Sequence, residues 1–149
     1  MDDRKKQLRD IIAAKSLSRG GDFKLASGVT SAYYFDMKPS VMDPDGARLT
    51  AELILEAVAG EDLYCVGGMA VGAVPIVASV AMASAGTARP LRGFLVRTEV
   101  VERGTEKQGE GNMGEGGRVP IVEEGTLTGG SAMQAGGGVR PGDHGACRG

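Results

Sequence analysis

An α/β fold with a central parallel sheet flanked by helices is predicted by three features of the chain. Short aliphatic runs, Leu63–Val66, residues 91–97 and residues 119–122, are spaced along it and alternate with segments of helical periodicity. Two of those runs lead directly into glycine-rich loops, one beginning at Gly67 and one at Gly125. Strands alternating with helices imply right-handed crossovers, which place a site at the C-terminal edge of the sheet. A chain of 149 residues fits one domain with a substantial core. The pattern supports a domain over residues 1–133, with 134–149 as an irregular glycine-rich tail.

The elements read as follows. Over residues 4–17, Leu8, Ile11, Ile12 and Lys15 recur at i, i+3, i+4 and i+7, which predicts a helix broken at Arg19-Gly20-Gly21. Residues 23–28 and 31–38 alternate around a Ser-Gly turn and predict a β-hairpin. Its second strand carries Tyr33, Tyr34 and Phe35, which either form a hydrophobic strand or line a pocket for a flat heterocycle. Asp43-Pro44 caps a second helix with apolar positions Ala47, Leu49, Leu53, Ile54, Ala57 and Val58, ended by Gly60. Leu63–Val66 is a short buried strand, residues 67–75 a glycine loop, and Pro75–Ser84 a helix. Residues 91–97 form the next strand, 98–117 show no periodicity, and 119–122 form the last strand. From Gln134 onward the pattern fails at Gly136-Gly137-Gly138.

Composition excludes several functions. The formal net charge of −2 gives no electrostatic case for a nucleic-acid or anionic-membrane partner. Cys65 and Cys147 are too few for a disulfide framework, and a single histidine, His144, argues against a structural zinc site. The charged start and the lack of an apolar run of about 18 residues point to a soluble cytoplasmic protein. The core is aliphatic, since aromatic residues make up 4% of the chain and Trp is absent. Fifteen of the 25 glycines lie at or after Gly104, so the last third is rich in loop.

The chemistry concentrates in residues 119–131, VPIVEEGTLTGGS. A β-branched run ends in two carboxylates, Glu123 and Glu124, and passes into Gly125, Thr126, Leu127, Thr128, Gly129, Gly130 and Ser131. Glycines let backbone amides approach phosphate oxygens, and Thr126, Thr128 and Ser131 add hydroxyl donors. Carboxylates do not bind phosphate, but they suit ribose hydroxyls or an oxygen-loving cation such as magnesium. No Gly-Lys-Ser/Thr follows the glycines, so this is not a Walker loop. The Gly67–Pro75 segment is a second strand-to-loop-to-helix junction where a diphosphate can meet backbone amides.

Four segments resemble the orotate phosphoribosyltransferases, of the type I phosphoribosyltransferase family, in the family's order over residues 5–133. Residues 23–39 (FKLASGVTSAYYFDMKP) resemble its N-terminal hairpin, and residues 66–75 (VGGMAVGAVP) its diphosphate loop. Residues 97–112 (RTEVVERGTEKQGEGN) resemble its mobile catalytic loop, and residues 119–131 its loop for phosphoribosyl pyrophosphate (PRPP). The resemblance implies the type I fold, with the hairpin as a hood over the parallel sheet. It implies transfer of the phosphoribosyl group of PRPP to orotate, giving orotidine 5′-monophosphate and diphosphate. Magnesium would be held by substrate oxygens, with no direct protein ligand, and the protein would form a homodimer whose mobile loop reaches the neighbouring site.

Residue by residue, the resemblance makes Arg97 and Arg103 catalytic, and places Arg97, Thr98, Val101 and Arg103 of the mobile loop at PRPP-binding positions. Glu123 and Glu124 would hold the ribose hydroxyls, and residues 125–131 the 5′-phosphate. Ala70, Val71 and Gly72 would receive the diphosphate, while Tyr33, Tyr34, Lys38 and Leu127 would face orotate. Lys107 aids diphosphate binding or is simply solvated. The chain departs from the pattern where Thr98 and Val101 replace lysines, Arg103 a histidine, Glu124 an aspartate, Gly125 a valine and Leu127 a threonine. Each lost ammonium contact to a diphosphate would remove about 2–4 kcal/mol of transition-state stabilisation. The departures therefore leave a second reading open, a catalytically impaired homologue that binds PRPP, a nucleotide or a partner subunit. Similarity ends abruptly after Ala132 as composition shifts to Gly, Arg and Pro, the pattern a reading-frame disruption produces.

Overall fold

A computed structural model describes residues 2–24, 28–97, 109–111 and 118–125. The first helix, α1 (Asp3–Lys15), starts at Asp2, whose carboxylate accepts from Arg4 N, and ends at Ser16. It therefore stops two residues before the predicted end. Arg4, Leu8, Ile11 and Ile12 form its half-buried side, whereas Lys15 is exposed and pairs with Asp43 at 3.0 Å.

Strand β1 (Leu17–Lys24) pairs antiparallel with β2 (Thr30–Phe35). The predicted break at Arg19-Gly20-Gly21 is instead a register irregularity within β1, between Arg19 and Phe23. Gly20 sits there at φ 79°, a conformation that strains side-chain-bearing residues, so glycine serves the bulge. β2 ends at Phe35 rather than Lys38, because Asp36 Oδ1 accepts from Lys38 N at 3.0 Å and turns the chain into α2 (Lys38–Val41).

Helix α3 (Pro44–Ala57) is capped by Asp43, whose carboxylate accepts from Asp45 N and Gly46 N, both at 3.2 Å. Of its predicted apolar positions only Leu49 is fully buried; Gly46, Thr50 and Ala51 are buried as well, while Ala57 is exposed. Gly46 meets the Ser40 carbonyl and Ile11, and this close approach of α2 and α1 shifts the buried face.

β3 spans Cys65–Met69, α4 Val74–Ser84, β4 Arg92–Val96, β5 Gly109–Gly111 and β6 Ile121–Val122. The sheet runs β5-β4-β3-β6, with β3 parallel to both β4 and β6 and β5 antiparallel to β4. Two expectations are corrected. Gly67 and Gly68, read as loop, lie inside β3, where they sit against Phe94 and against Val122 and Ala73 respectively. The supposedly patternless segment 98–117 contains β5, whose Gly-Glu-Gly sequence pairs through backbone alone and leaves no side-chain period to read.

Val41, Ala51, Val66, Ala73, Ile76, Val77 and Val80 pack one buried cluster on the α3/α4 side. Cys65, Met69, Phe94 and Val96 form a second. Tyr64 is exposed, unlike its strand neighbours Leu63 and Cys65. Ser84, fully buried, donates its hydroxyl to Ala81 O and accepts from Leu91 N, both at 2.8 Å, which ties the end of α4 to the start of β4. Ser84→Ala leaves the Leu91 amide buried and unpaired, and an expected loss of about 1–3 kcal/mol is checked by the denaturant midpoint.

Candidate active site

The parallel register brings three chain segments to one edge. Gly68 pairs with Val122 and Met69 with Val96, so Ala70, Arg97 and Glu123 leave adjacent strands at the same C-terminal end. Ala70 N donates to Val96 O at 2.9 Å, joining the loop after β3 to the root of Arg97. The Ala70–Val71 peptide is cis, and Ala73 N donates to Met69 O at 3.1 Å as the chain enters α4. No side chain caps the N-terminus of α4; Val74 N donates to Val71 O at 3.1 Å, Pro75 has no amide proton, and the positive end of the helix dipole lies at this loop.

Glu123 and Glu124 follow β6 directly and are half-buried. Glu124 turns toward the loop after β3, where its carboxylate occupies the position that a Cβ on Gly72 would take. The hairpin side closes in from another direction. Lys38 Nζ lies 2.8 Å from Asp36 Oδ1 and 3.9 Å from Glu124 Oε1, and a Cβ on Gly125 would stand 3.7 Å from Phe35 Cδ1. The hydrogen bond that Lys38 donates to Asp36 holds the Lys38 ammonium above its usual range, reinforced by the charges of Asp36 and Glu124 and by Tyr34.

The Lys38 side chain and Lys38 amide in turn lower the Asp36 carboxyl below its ordinary value of 3.8. A depressed carboxyl stabilises the fold above its unfolded value and loses that contribution as pH falls through the folded one. The stability difference between the parent and Asp36→Asn should therefore be constant from neutral pH down to about pH 4 and disappear at lower pH. Urea titrations at a series of pH values check this, and a difference that does not shrink as the pH falls below the unfolded value contradicts it.

Several predicted residues are thus brought together: Lys38, Ala70, Val71, Gly72, Arg97, Glu123, Glu124 and Gly125. Tyr33 and Tyr34 are not buried in a strand face, being 59% and 44% exposed; Tyr34 packs on Phe23 with ring centroids 5.6 Å apart. Thr98, Val101, Arg103, Lys107, Thr126, Leu127, Thr128, Gly129, Gly130, Ser131 and the tail with His144 and Cys147 lie outside the described residues. Sequence reasoning missed Asp36 as a site neighbour, and gave Phe35 only with Tyr33 and Tyr34 as one of two options, strand face or pocket lining. The Asp-x-Lys spacing around Met37 was the available signal for Asp36, whereas the Phe35 position depends on tertiary packing. Among the described residues, no three His, Cys, Asp or Glu side chains cluster to hold a metal. Nor is any helix there long and apolar enough to cross a membrane.

No protein-family model matches the chain. It is 42% identical over 138 residues to the orotate phosphoribosyltransferase of Rhodopseudomonas palustris strain BisB18, covering 90% of this chain and 73% of that protein. Against the orotate phosphoribosyltransferase of Methanocaldococcus jannaschii it is 37% identical over 133 residues, covering 89% and 72%. A crystal structure of Mycobacterium tuberculosis orotate phosphoribosyltransferase with Fe(III) dicitrate superposes with a TM-score of 0.76 at 30% identity, over 93% of this chain and 76% of that one. The structure of the same enzyme in complex with PRPP gives a TM-score of 0.70 at 29% identity, over 91% and 73%. With the parallel strands delivering an arginine, two glutamates and a glycine loop to one edge, the chain belongs to the orotate phosphoribosyltransferase family and has its type I α/β fold.

Proposed function

We propose that this chain transfers the phosphoribosyl group of PRPP to orotate, forming orotidine 5′-monophosphate and diphosphate in pyrimidine biosynthesis. The observation that carries the reading is the convergence of Ala70–Gly72, Arg97 and Glu123-Glu124 at one sheet edge, joined by Lys38 from the hairpin side. In the reaction a C–N bond to the base forms at the anomeric carbon as the C–O bond to diphosphate breaks. Positive charge grows on the ribose and negative charge on the leaving group, so catalysis consists of positioning and electrostatic stabilisation.

Each group then has a task. Glu123 and Glu124 accept from the ribose hydroxyls, and the loop from Gly125 through Thr126, Leu127, Thr128, Gly129, Gly130 and Ser131 takes the 5′-phosphate. Ala70, Val71 and Gly72 form the diphosphate loop, in which the amides of Val71 and Gly72, at the N-terminal end of α4, receive the diphosphate while the Ala70 amide holds Val96 O. Arg97 and Arg103 supply cationic charge to it, with Thr98 and Val101 on the same loop. Lys38, Tyr33, Tyr34 and Leu127 stand on the orotate side. Magnesium would come with PRPP, with no direct ligand from the protein, and would supply neutralising charge for the leaving diphosphate, while Glu123 and Glu124 hold the ribose hydroxyls of that substrate. We place the enzyme in the cytoplasm as a homodimer.

Calorimetry with Mg·PRPP tests the site directly. The expected result is saturable binding that weakens in Glu123→Ala, and a folded chain that takes up no Mg·PRPP overturns the assignment.

A further inference from the structure

We infer that Glu124 is a built-in competitor for the diphosphate: its carboxylate rests on Gly72 and must leave before the leaving group of the substrate can settle there. The inference rests on the reading of Ala70–Gly72 as the diphosphate loop. Three observations carry it. The Glu124 carboxylate occupies the space a Cβ on Gly72 would fill, so it lies on the backbone of that loop rather than beside it. Gly72 itself is buried, so the loop is covered from that side by Glu124. Lys38 Nζ is 3.9 Å from Glu124 Oε1 but 2.8 Å from Asp36 Oδ1, so its ammonium is engaged first by Asp36 and draws Glu124 only weakly off the loop.

Length explains the contact. The strand order places β6 beside β3, so a side chain one residue beyond Glu123 points across toward the loop after β3. A glutamate spans that gap, while an aspartate, one methylene shorter, stops nearer to β6 and leaves Gly72 open. A carboxylate there repels an incoming diphosphate and screens the amides meant for it. Substrate binding then proceeds by exchange, in which Glu124 swings from Gly72 to the ribose hydroxyls as the diphosphate takes its place. Free diphosphate, which offers no ribose, cannot compensate Glu124 for leaving.

The test uses the full chain with two probes, Mg·PRPP and magnesium diphosphate, measured by calorimetry on the parent, Glu124→Asp and Glu124→Gln. Both variants should bind diphosphate about fivefold more tightly, since one nearby negative charge is withdrawn or removed. They should diverge with Mg·PRPP. Glu124→Asp, which keeps a carboxylate for the ribose, gains affinity, whereas Glu124→Gln does not. Diphosphate affinity unchanged or weakened in both variants, in a parent that binds Mg·PRPP, overturns the inference and leaves the functional assignment standing. A folded parent that binds neither probe overturns the functional assignment and this inference with it.

Discussion

Arg97→Gln lowers kcat/KM for phosphoribosyl transfer by about 10²–10³-fold, the cost of removing one charge-stabilising donor from a transition state. Arg97 follows β4 directly, and the carbonyl of its neighbour Val96 holds the Ala70 amide at 2.9 Å. Its root is thereby fixed to the loop assigned to the diphosphate. A guanidinium stays charged throughout the working pH range and presents a planar fork suited to phosphate oxygens. If Arg97 acts on charge that develops as the C–O bond breaks, kcat falls with kcat/KM and KM changes little. Arg97→Lys keeps the charge without the fork and should fall between the two. Steady-state kinetics with parallel denaturation curves check the set, and an Arg97→Gln enzyme within about threefold of the parent contradicts the role assigned to Arg97.

Phe94→Ala destabilises the fold by about 3–5 kcal/mol, the largest single loss expected in the sheet. Phe94 is 1% exposed and stands directly opposite Gly67 in the parallel register, and its ring fills the space a Cβ at 67 would need. The glycine is therefore half of a cross-strand pair, in which an aromatic ring covers a neighbour that has no side chain. Gly67→Ala forces that ring to move and should cost about 1–3 kcal/mol by overpacking. In the Phe94→Ala background the same methyl enters the vacated space, so the double variant should be distinctly more stable than the sum of the single losses predicts. Urea unfolding of the four proteins measures this coupling, and strict additivity contradicts the pairing.

How much of this was legible in the sequence follows from what each segment shows on its own. α3 was legible because Asp43-Pro44 is a cap with a mechanism, and the observed cap uses that carboxylate on Asp45 N and Gly46 N. The last strand was legible because Ile121-Val122 are β-branched and end at two acids. β1 was not, since Ser18-Arg19-Gly20-Gly21-Asp22 is polar and its bulge depends on Gly20 at φ 79°. β3 was cut short at Val66 because glycine ordinarily weakens a strand, and only the Phe94 ring explains Gly67 in its centre. The exposure of Tyr33 and Tyr34 was likewise hidden, because an aromatic run on a hairpin reads the same whether it faces a core or solvent.

The site divides in the same way. Glu123, Glu124, Gly72 and Arg97 could be singled out from strand ends and loops, and their proposed roles came from the resemblance. Their proximity required the strand order β4-β3-β6, which no local pattern encodes. The contact of Glu124 with Gly72 is a tertiary fact for the same reason, whereas the grip of Asp36 on Lys38 is local to the Asp-x-Lys turn.

The most direct test of the whole account is orotate-dependent formation of orotidine 5′-monophosphate from Mg·PRPP by the purified chain, with released diphosphate measured in the same reaction. The account predicts that the two products appear together in equal amounts, and only when orotate is present. A folded chain that binds Mg·PRPP yet forms no nucleotide at saturating orotate would contradict it.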